Sequence, residues 1–183
     1  DSTQVYRGLD IATAKVTYSE ADGVVHHLID ICDINDDYTV FDFQRDCRRC
    51  ISDIISRGKT PIIVGGTGLY VKASLYDYKF DLETSSFDYS DYSDLELYNR
   101  LMSIDPNSDI HVNNRKRIER ALSYYDSTGN LLSSKEKTDE LLYDAVFIGL
   151  TTSRDVLYDR INKRVDEMVN NGLIDEARGV YDS

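Results

Sequence analysis

Three stretches of this chain combine residue types that could do chemistry. Gly65-Gly66-Thr67-Gly68 follows the apolar run Pro61-Ile62-Ile63-Val64 and precedes Leu69. Glycines there let a substrate approach the backbone, and Thr67 offers a hydroxyl at the C-terminal edge of a strand, where α/β sheets bind ligands. A plain tight turn reads the same residues without a ligand. Arg115-Lys116-Arg117 and Arg120 put four cations within six residues. On a helix, Arg117, Arg120 and Tyr124 share one face, opposite Ile118, Ala121, Leu122 and Tyr125. A solvated face is the bland alternative. The chain as a whole carries 21 Lys and Arg against 33 Asp and Glu, a net charge of −12. Against that background a local basic island favours an anionic partner. Arg160 and Arg164 lie one helical turn apart, and Arg164 sits beside an apolar stripe, from which a guanidinium can give a phosphate two parallel hydrogen bonds. A surface arginine with a carboxylate neighbour is the other reading.

Three further patterns invite chemistry and fail its requirements. Gly58-Lys59-Thr60 looks like the end of a phosphate-binding loop, but position 53 holds Asp53 where that loop needs glycine. The triplet also precedes a strand instead of following one, so it reads as a helix stop. Cys47 and Cys50 have a redox spacing, yet both fall on the apolar face of a helix already two turns long. A reactive pair belongs at a helix N-terminus, so these cysteines read as core. His26 and His27, with Asp30 nearby, sit on a predicted strand whose neighbouring side chains face opposite ways, so a shared metal does not suit them.

The elements that must position these residues follow from periodicity. His26 to Ile31 reads as a short strand. Thr39 and Asp42 form a capping pattern ahead of Phe43, Cys47, Cys50, Ile51 and Ile54 at helical spacing, with Gly58 as the stop. Pro61–Val64 and Ala145–Leu150 read as buried strands. Helices are predicted from Leu69, from about Asn114 to Ser127 with Thr128-Gly129 as the stop, and again with Leu157, Ile161, Val165 and Met168 inward. The last of these stops at Gly172, and a final helix starts at Leu173. Strands alternating with helices predict an α/β fold, a parallel sheet flanked by helices. Residues 77–94 shift to Asp, Tyr and Ser and read as a mobile insertion at the rim of a site. The expected organisation is a core of residues 1–76, a small helical insertion at 77–112, and a continued core at 113–183.

With 183 residues the chain can bury a real core. The acidic balance argues against non-specific binding along nucleic acid, which needs basic surface. No apolar run is long enough to span a membrane. Three cysteines do not make a disulfide framework, and a reducing cytoplasm is expected. The chain starts at Asp1 and stops inside a helical pattern, so both ends read as cuts.

The order of the motifs resembles one family. Asp1-Ser2-Thr3-Gln4-Val5-Tyr6-Arg7-Gly8-Leu9-Asp10-Ile11-Ala12-Thr13-Ala14-Lys15 resembles the opening signature of the tRNA dimethylallyltransferases. His26–Asp30, Val64–Tyr70, Asn113–Leu122 and Leu157–Val165 resemble later blocks of that family, in the same order. The chain departs from the pattern at Thr3, Ala12, Val25 and Val112, where the family usually has Met, Gly, Pro and Pro. The family's phosphate-binding loop, which would precede Asp1, and its C-terminal portion are not in this sequence.

The resemblance implies a P-loop NTPase-like fold and an enzyme that moves a dimethylallyl group from dimethylallyl diphosphate to N6 of an adenine in the tRNA anticodon loop (adenosine 37). It implies that Asp1 is the base, that Thr67 hydrogen-bonds the diphosphate at the breaking bond, and that Arg164 stabilises the leaving charge. Asp1, Ser2, Thr3 and Gln4, and Lys116, Arg117, Ile118, Glu119 and Arg120, match stretches that contact tRNA. Mg²⁺ is implied, with ligands mainly in the phosphate loop and no metal ligand among these residues. The expected partners are tRNA and dimethylallyl diphosphate, with no membrane, and a cytoplasmic monomer is expected. Without the phosphate loop, residues 1–183 are expected to be inactive by themselves. A prenyltransferase of free adenine nucleotides would not need the basic helix. A nucleotide kinase would need a phosphate loop and an adenine site. An RNA-binding module without a catalytic loop is the non-enzyme alternative.

Overall fold

The computed structural model describes residues 2–80, 87–134 and 140–181. Six α-helices run through them: α1 Val40–Ser56, α2 Gly68–Leu75, α3 Asp94–Ile104, α4 Arg115–Thr128, α5 Arg154–Asn170 and α6 Leu173–Tyr181. The chain divides into two compact units, residues 1–78 with 139–183, and residues 79–138.

In the first unit, α1 starts and stops on local chemistry. The Thr39 hydroxyl accepts from the Asp42 N–H, and the Asp42 carboxylate accepts from the Thr39 N–H, a closed capping box. At the far end Gly58 (φ +67°) donates to Ile55 at 2.8 Å and Lys59 donates to Ile54 at 3.1 Å. These two bonds are a Schellman closure, which needs the left-handed residue that glycine supplies. The Gly58-Lys59-Thr60 triplet is therefore a helix stop. Cys47 packs with Ile51 and Leu75 in the core, flanked by Phe43, Val71 and Tyr76. Burial pushes the Cys47 and Cys50 thiols up, away from the reactive thiolate.

The same helix holds α2 in place. Gln44 gives its amide N–H groups to the carbonyls of Ala73 and Tyr78, at 2.9 and 2.8 Å. The Arg48 guanidinium donates to Ser74, Ala73 and Tyr76. The last carbonyls of a helix have no partner within it, and a cation at that end also meets the favourable dipole.

Among the described residues the expected sheet is not confirmed. Among the described residues the only β pairing is two isolated bridges, Tyr6 with Cys32 in parallel and Tyr76 with Leu141 in antiparallel sense. At 26–31 the reason is local: Leu28 (φ +60°) and Asp30 (φ +55°) are left-handed, which breaks the pleat of a strand. At 61–64 and 145–150 it is non-local. A strand exists only through a neighbour, and these stretches make no ladder, so Ile62, Val64, Val146, Ile148 and Leu150 are all more than 80 % exposed. The α5 stripe of Leu157, Ile161 and Val165, expected inward, is likewise exposed, and no residue of α5 is buried.

The second unit is a pair of packed helices. Ser93 and Glu96 close a capping box that starts α3, a signal that their spacing in the sequence carries. Leu97 and Leu101 of α3 meet Ile118, Ala121 and Leu122 of α4, with Tyr89 closing the cluster. Asp126 binds the rim, taking Arg100 at 2.7 and 2.9 Å and the Tyr89 hydroxyl at 2.8 Å. Gly129 (φ +71°) ends α4 as the sequence indicates. The expected insertion at 77–94 lies partly outside the described residues.

Ile118 is fully buried. Ile118→Ala should cost about 2–5 kcal/mol of unfolding free energy, measured by urea titration of the complete protein. An unchanged midpoint would remove this residue from the core.

Candidate active site

The segment from Ser2 to Lys15 is pinned by backbone and side-chain bonds. Val5 is fully buried, and its carbonyl accepts from Ile31 at 2.8 Å and Cys32 at 3.0 Å. The Gln4 carbonyl accepts from Asp30, and Arg7 donates to the Cys32 carbonyl. The Gln4 side-chain amide donates to the carbonyls of Thr13 and Ala14, at 3.0 and 3.3 Å. The segment therefore loops back on itself, with Gly8 and Ala14 at positive φ where the chain reverses.

Lys15 lies at the centre of this loop. Its side chain is only 5 % exposed, and its ammonium donates to the Tyr6 carbonyl and to the carboxylates of Asp10 and Asp30. Burial by itself would lower the Lys15 pKa. The two carboxylates outweigh it and hold the ammonium above its ordinary range. On the far side of the loop the N–H groups of Asp10, Ile11 and Ala12 all donate to the carboxylate of Glu176, which comes from α6. The sequence singles out neither Glu176 nor this role of Lys15. Nothing in the spacing of a residue some 165 positions away reports that it returns to the loop.

Thr67 occupies the N-cap position of α2 and makes no side-chain cap bond to that helix. A helix start without a side-chain cap presents its first N–H groups to an anion. The Thr67 hydroxyl lies 3.5 Å from the Ser2 hydroxyl. Two stretches separate in sequence thus meet here. The glycines flanking Thr67 in sequence line a cleft of about 650 Å³ together with Gly65, Val71, Lys72, Tyr76 and Phe147. A Cβ built at Gly66 or Gly68 would meet no atom within 4 Å, so the room beside these glycines is open.

The remaining expected site residues are placed as follows. Asp1 lies outside the described residues. Arg164 is exposed on α5, and the described contacts do not bring it to Thr67 or Ser2. In the second unit, Ile118 of the stretch expected at tRNA turns its side chain into the core, and Glu119 is held by Arg115 at 2.6 Å. Lys116, Arg117 and Arg120 are exposed. Arg115 is structural. It donates to the carbonyls of Tyr89 and Tyr92 and to Asp94 as well as Glu119, which ties the start of α4 to the start of α3.

The Lys15 cluster has a clear pH signature. A pKa raised on folding gives stability that is whole below the ordinary 10.5 and is lost as pH rises through the higher folded value. Lys15→Met should destabilise the protein by about 1–3 kcal/mol at neutral pH and flatten the loss of stability above that range. Thermal midpoints of both proteins from pH 8 to about 11 check this.

Comparison with known proteins places the chain in a family. The family description "IPP transferase" matches residues 4–183. A tRNA dimethylallyltransferase of Oceanobacillus iheyensis is 44% identical over all of this chain, and one of Geobacillus kaustophilus is 46% identical. The chain spans about 62% of the length of each. Among solved structures, the full-length tRNA isopentenylpyrophosphate transferase of Bacillus halodurans is 44% identical with a TM-score of 0.68, covering all of this chain and 60% of that one. A eukaryotic dimethylallyltransferase acting on tRNA is 31% identical with a TM-score of 0.78, covering all of this chain and 48% of that one. The match runs through the pinned opening segment, the glycine turn and the basic helix alike, and the chain belongs to the IPP transferase family.

Proposed function

We propose that the complete protein transfers a dimethylallyl group from dimethylallyl diphosphate to N6 of an adenine in the tRNA anticodon loop, at adenosine 37, and releases diphosphate. The observation that carries this is the meeting of Ser2 and Thr67 at the uncapped start of α2, beside an open glycine-lined cleft. Hydroxyl and N–H donors around a helix start suit a diphosphate. The similar tRNA dimethylallyltransferases supply the prenyl group and the tRNA of this reading.

In the reaction, the N6 lone pair forms a bond to C1 of the dimethylallyl group. The C1–O bond breaks, and its electron pair leaves with the diphosphate. The amine is a poor nucleophile, so its proton passes to a base as the C–N bond forms. Asp1 is assigned as that base. Thr67 donates to the oxygen of the breaking bond, and Arg164 balances charge on the departing diphosphate. Ser2, Thr3 and Gln4 line the adenine's approach. Lys116, Arg117 and Arg120 take tRNA phosphates, with Ile118 and Glu119 setting the helix that presents them. The target base leaves its stack to react, as in other base-modifying enzymes. Mg²⁺, which the resemblance implies with ligands mainly in the phosphate-binding loop, would balance charge on the diphosphate when bound; among the described residues no group of three or more His, Cys, Asp or Glu could hold a metal ion.

The parallel, P-loop NTPase-like sheet belongs to the same proposal. The exposed apolar runs at 61–64 and 145–150 are its strands once neighbours are present. Among the described residues no helix is long and apolar enough to cross a membrane, and we assign the protein to the cytoplasm, where its substrate is.

Thr67→Ala in the complete protein should slow single-turnover transfer by roughly a hundredfold, the scale of losing one transition-state donor. The tRNA affinity should stay close to wild type, and a loss confined to affinity would defeat the assignment. Arg117→Ala and Arg120→Ala should weaken tRNA binding, and each should reduce the slope of log K against log salt by roughly one unit or less. Titrations at several salt concentrations measure that slope, and an unchanged slope in both variants returns these residues to a solvated face.

A further inference from the structure

The prenyl-transfer mechanism leaves one built feature unused, the grip of Glu176 on the loop Asp10–Ala12. Three consecutive backbone N–H groups converge on one carboxylate. Oε2 accepts from Asp10 at 2.8 Å and Ile11 at 2.7 Å, and Oε1 accepts from Ala12 at 2.9 Å. Successive N–H groups turned to one side form a nest that favours an anion. The anion here is supplied by the protein itself, from one helical turn past Gly172. Gly172 adopts φ +101°, which reserves it for glycine, and its Cβ position lies 3.9 Å from the Ile11 side chain. The start of α6 therefore closes on this loop with three charge-assisted bonds, and a side chain at Gly172 would come into contact with Ile11.

The other face of the loop leads straight to the candidate active site. Gln4 holds the carbonyls of Thr13 and Ala14, the Thr13 hydroxyl holds the Leu9 carbonyl, and Lys15 ties Asp10 to Tyr6 and Asp30. Two residues before Gln4, Ser2 meets Thr67. Past the turn in the other direction lies α5, which carries Arg164 and buries none of its residues.

We propose that Glu176 is a positioning residue: its carboxylate grips the backbone of Asp10–Ala12 and so holds the Ser2–Gln4 segment in register with the α5–α6 hairpin that bears Arg164. The proposal rests on the prenyl-transfer reading of the site. Glu176 touches no reacting atom. It acts on the two arms that must close around the adenine and the diphosphate, where small displacements of reacting groups are costly to rate.

Charge and size separate this role from simple packing. Glutamine has the size of glutamate, yet it would turn an amide N–H against one of the three backbone N–H groups. Aspartate keeps both acceptor oxygens and the charge but falls short by a methylene. A charge grip therefore ranks Glu176→Asp above Glu176→Gln, and a space-filling role ranks them the other way.

The test uses the complete protein, dimethylallyl diphosphate and a tRNA transcript. Single-turnover rate at saturating substrates, tRNA affinity and thermal midpoint are measured together, with Asp175→Asn on the same helix as a control. Glu176→Gln should lower the rate roughly 10- to 100-fold, Glu176→Asp should lower it less, and tRNA affinity should move by less than about threefold in both. Combined with Gln4→Ala, the effect of Glu176→Gln should be smaller than in the wild-type background, because both act through one loop. A Glu176→Gln rate within about twofold of wild type, a Gln variant faster than the Asp variant, or effects that multiply with Gln4→Ala would each overturn the proposal. Should Glu176→Gln be unfolded at the assay temperature, rates are compared at a lower temperature at which both variants fold, where Glu176→Asp faster than Glu176→Gln supports the grip and the reverse order overturns it. If the wild-type protein transfers no prenyl group to tRNA, the functional reading falls and this proposal falls with it. If the wild type is active and the variants match it, only this proposal falls.

Discussion

Arg48 reaches from α1 to three carbonyls at the end of α2, and Gln44 beside it takes two carbonyls in the same stretch. The first unit depends on this kind of bond. A backbone N–H or C=O withdrawn from water must be paired, and outside helices the usual partner is a strand ladder. The described residues of this chain form no ladder, so side chains take over. Lys15 serves the Tyr6 carbonyl, Gln4 serves Thr13 and Ala14, and Glu176 serves three N–H groups in a row. Each of these side chains is long and polar, and each joins segments that are not neighbours in sequence.

That constraint also explains why the candidate active site sits where it does. Function concentrates on loops held by a rigid frame. Here the frame is α1 with its two local caps, and α2 is tied to it by its C-terminal carbonyls. At the N-terminal end of α2, Thr67 meets Ser2, and the glycines on either side of Thr67 line the cleft. Fixing one end of a short helix by charge fixes the direction of its other end, and with it the direction of the N–H groups offered to an anion. The second unit works differently. Its apolar cluster of Leu97, Leu101, Ile118 and Leu122 carries the packing, and Arg115 and Asp126 seal the rim. Arg115 is thereby drawn from the basic run into the scaffold, which leaves Lys116, Arg117 and Arg120 as the exposed cations of the stretch.

The helix ends are legible in the sequence because they are local. Thr39 with Asp42, Gly58, and Gly129 each act within a turn of their own position, and each does in the structure what its spacing indicates. The capping box of Ser93 and Glu96 is equally local. Cys47 as a core residue follows from helical phase, since position on a helix face is set by 3.6 residues per turn. The order of motifs identifies the family, because chemistry that needs particular groups in a particular order leaves them in the chain.

Only the tertiary structure decided the rest. A strand is a relation between two segments, so apolar runs at 61–64 and 145–150 show the composition of strands without forming a ladder, and the α5 stripe has the phase of a buried face without being buried. The left-handed turn at Leu28 comes from a residue type that gives no warning of positive φ, whereas Asp30 is of a type that tolerates it; beyond them the chain brings Asp30 and Cys32 back to Gln4 and Val5. Glu176 shows the limit most plainly. Its carboxylate is chemically ordinary, and only the folding of α6 onto a loop some 165 residues away gives it three backbone partners. Local sequence sets what a segment can form, while pairing across the chain sets which side chains meet.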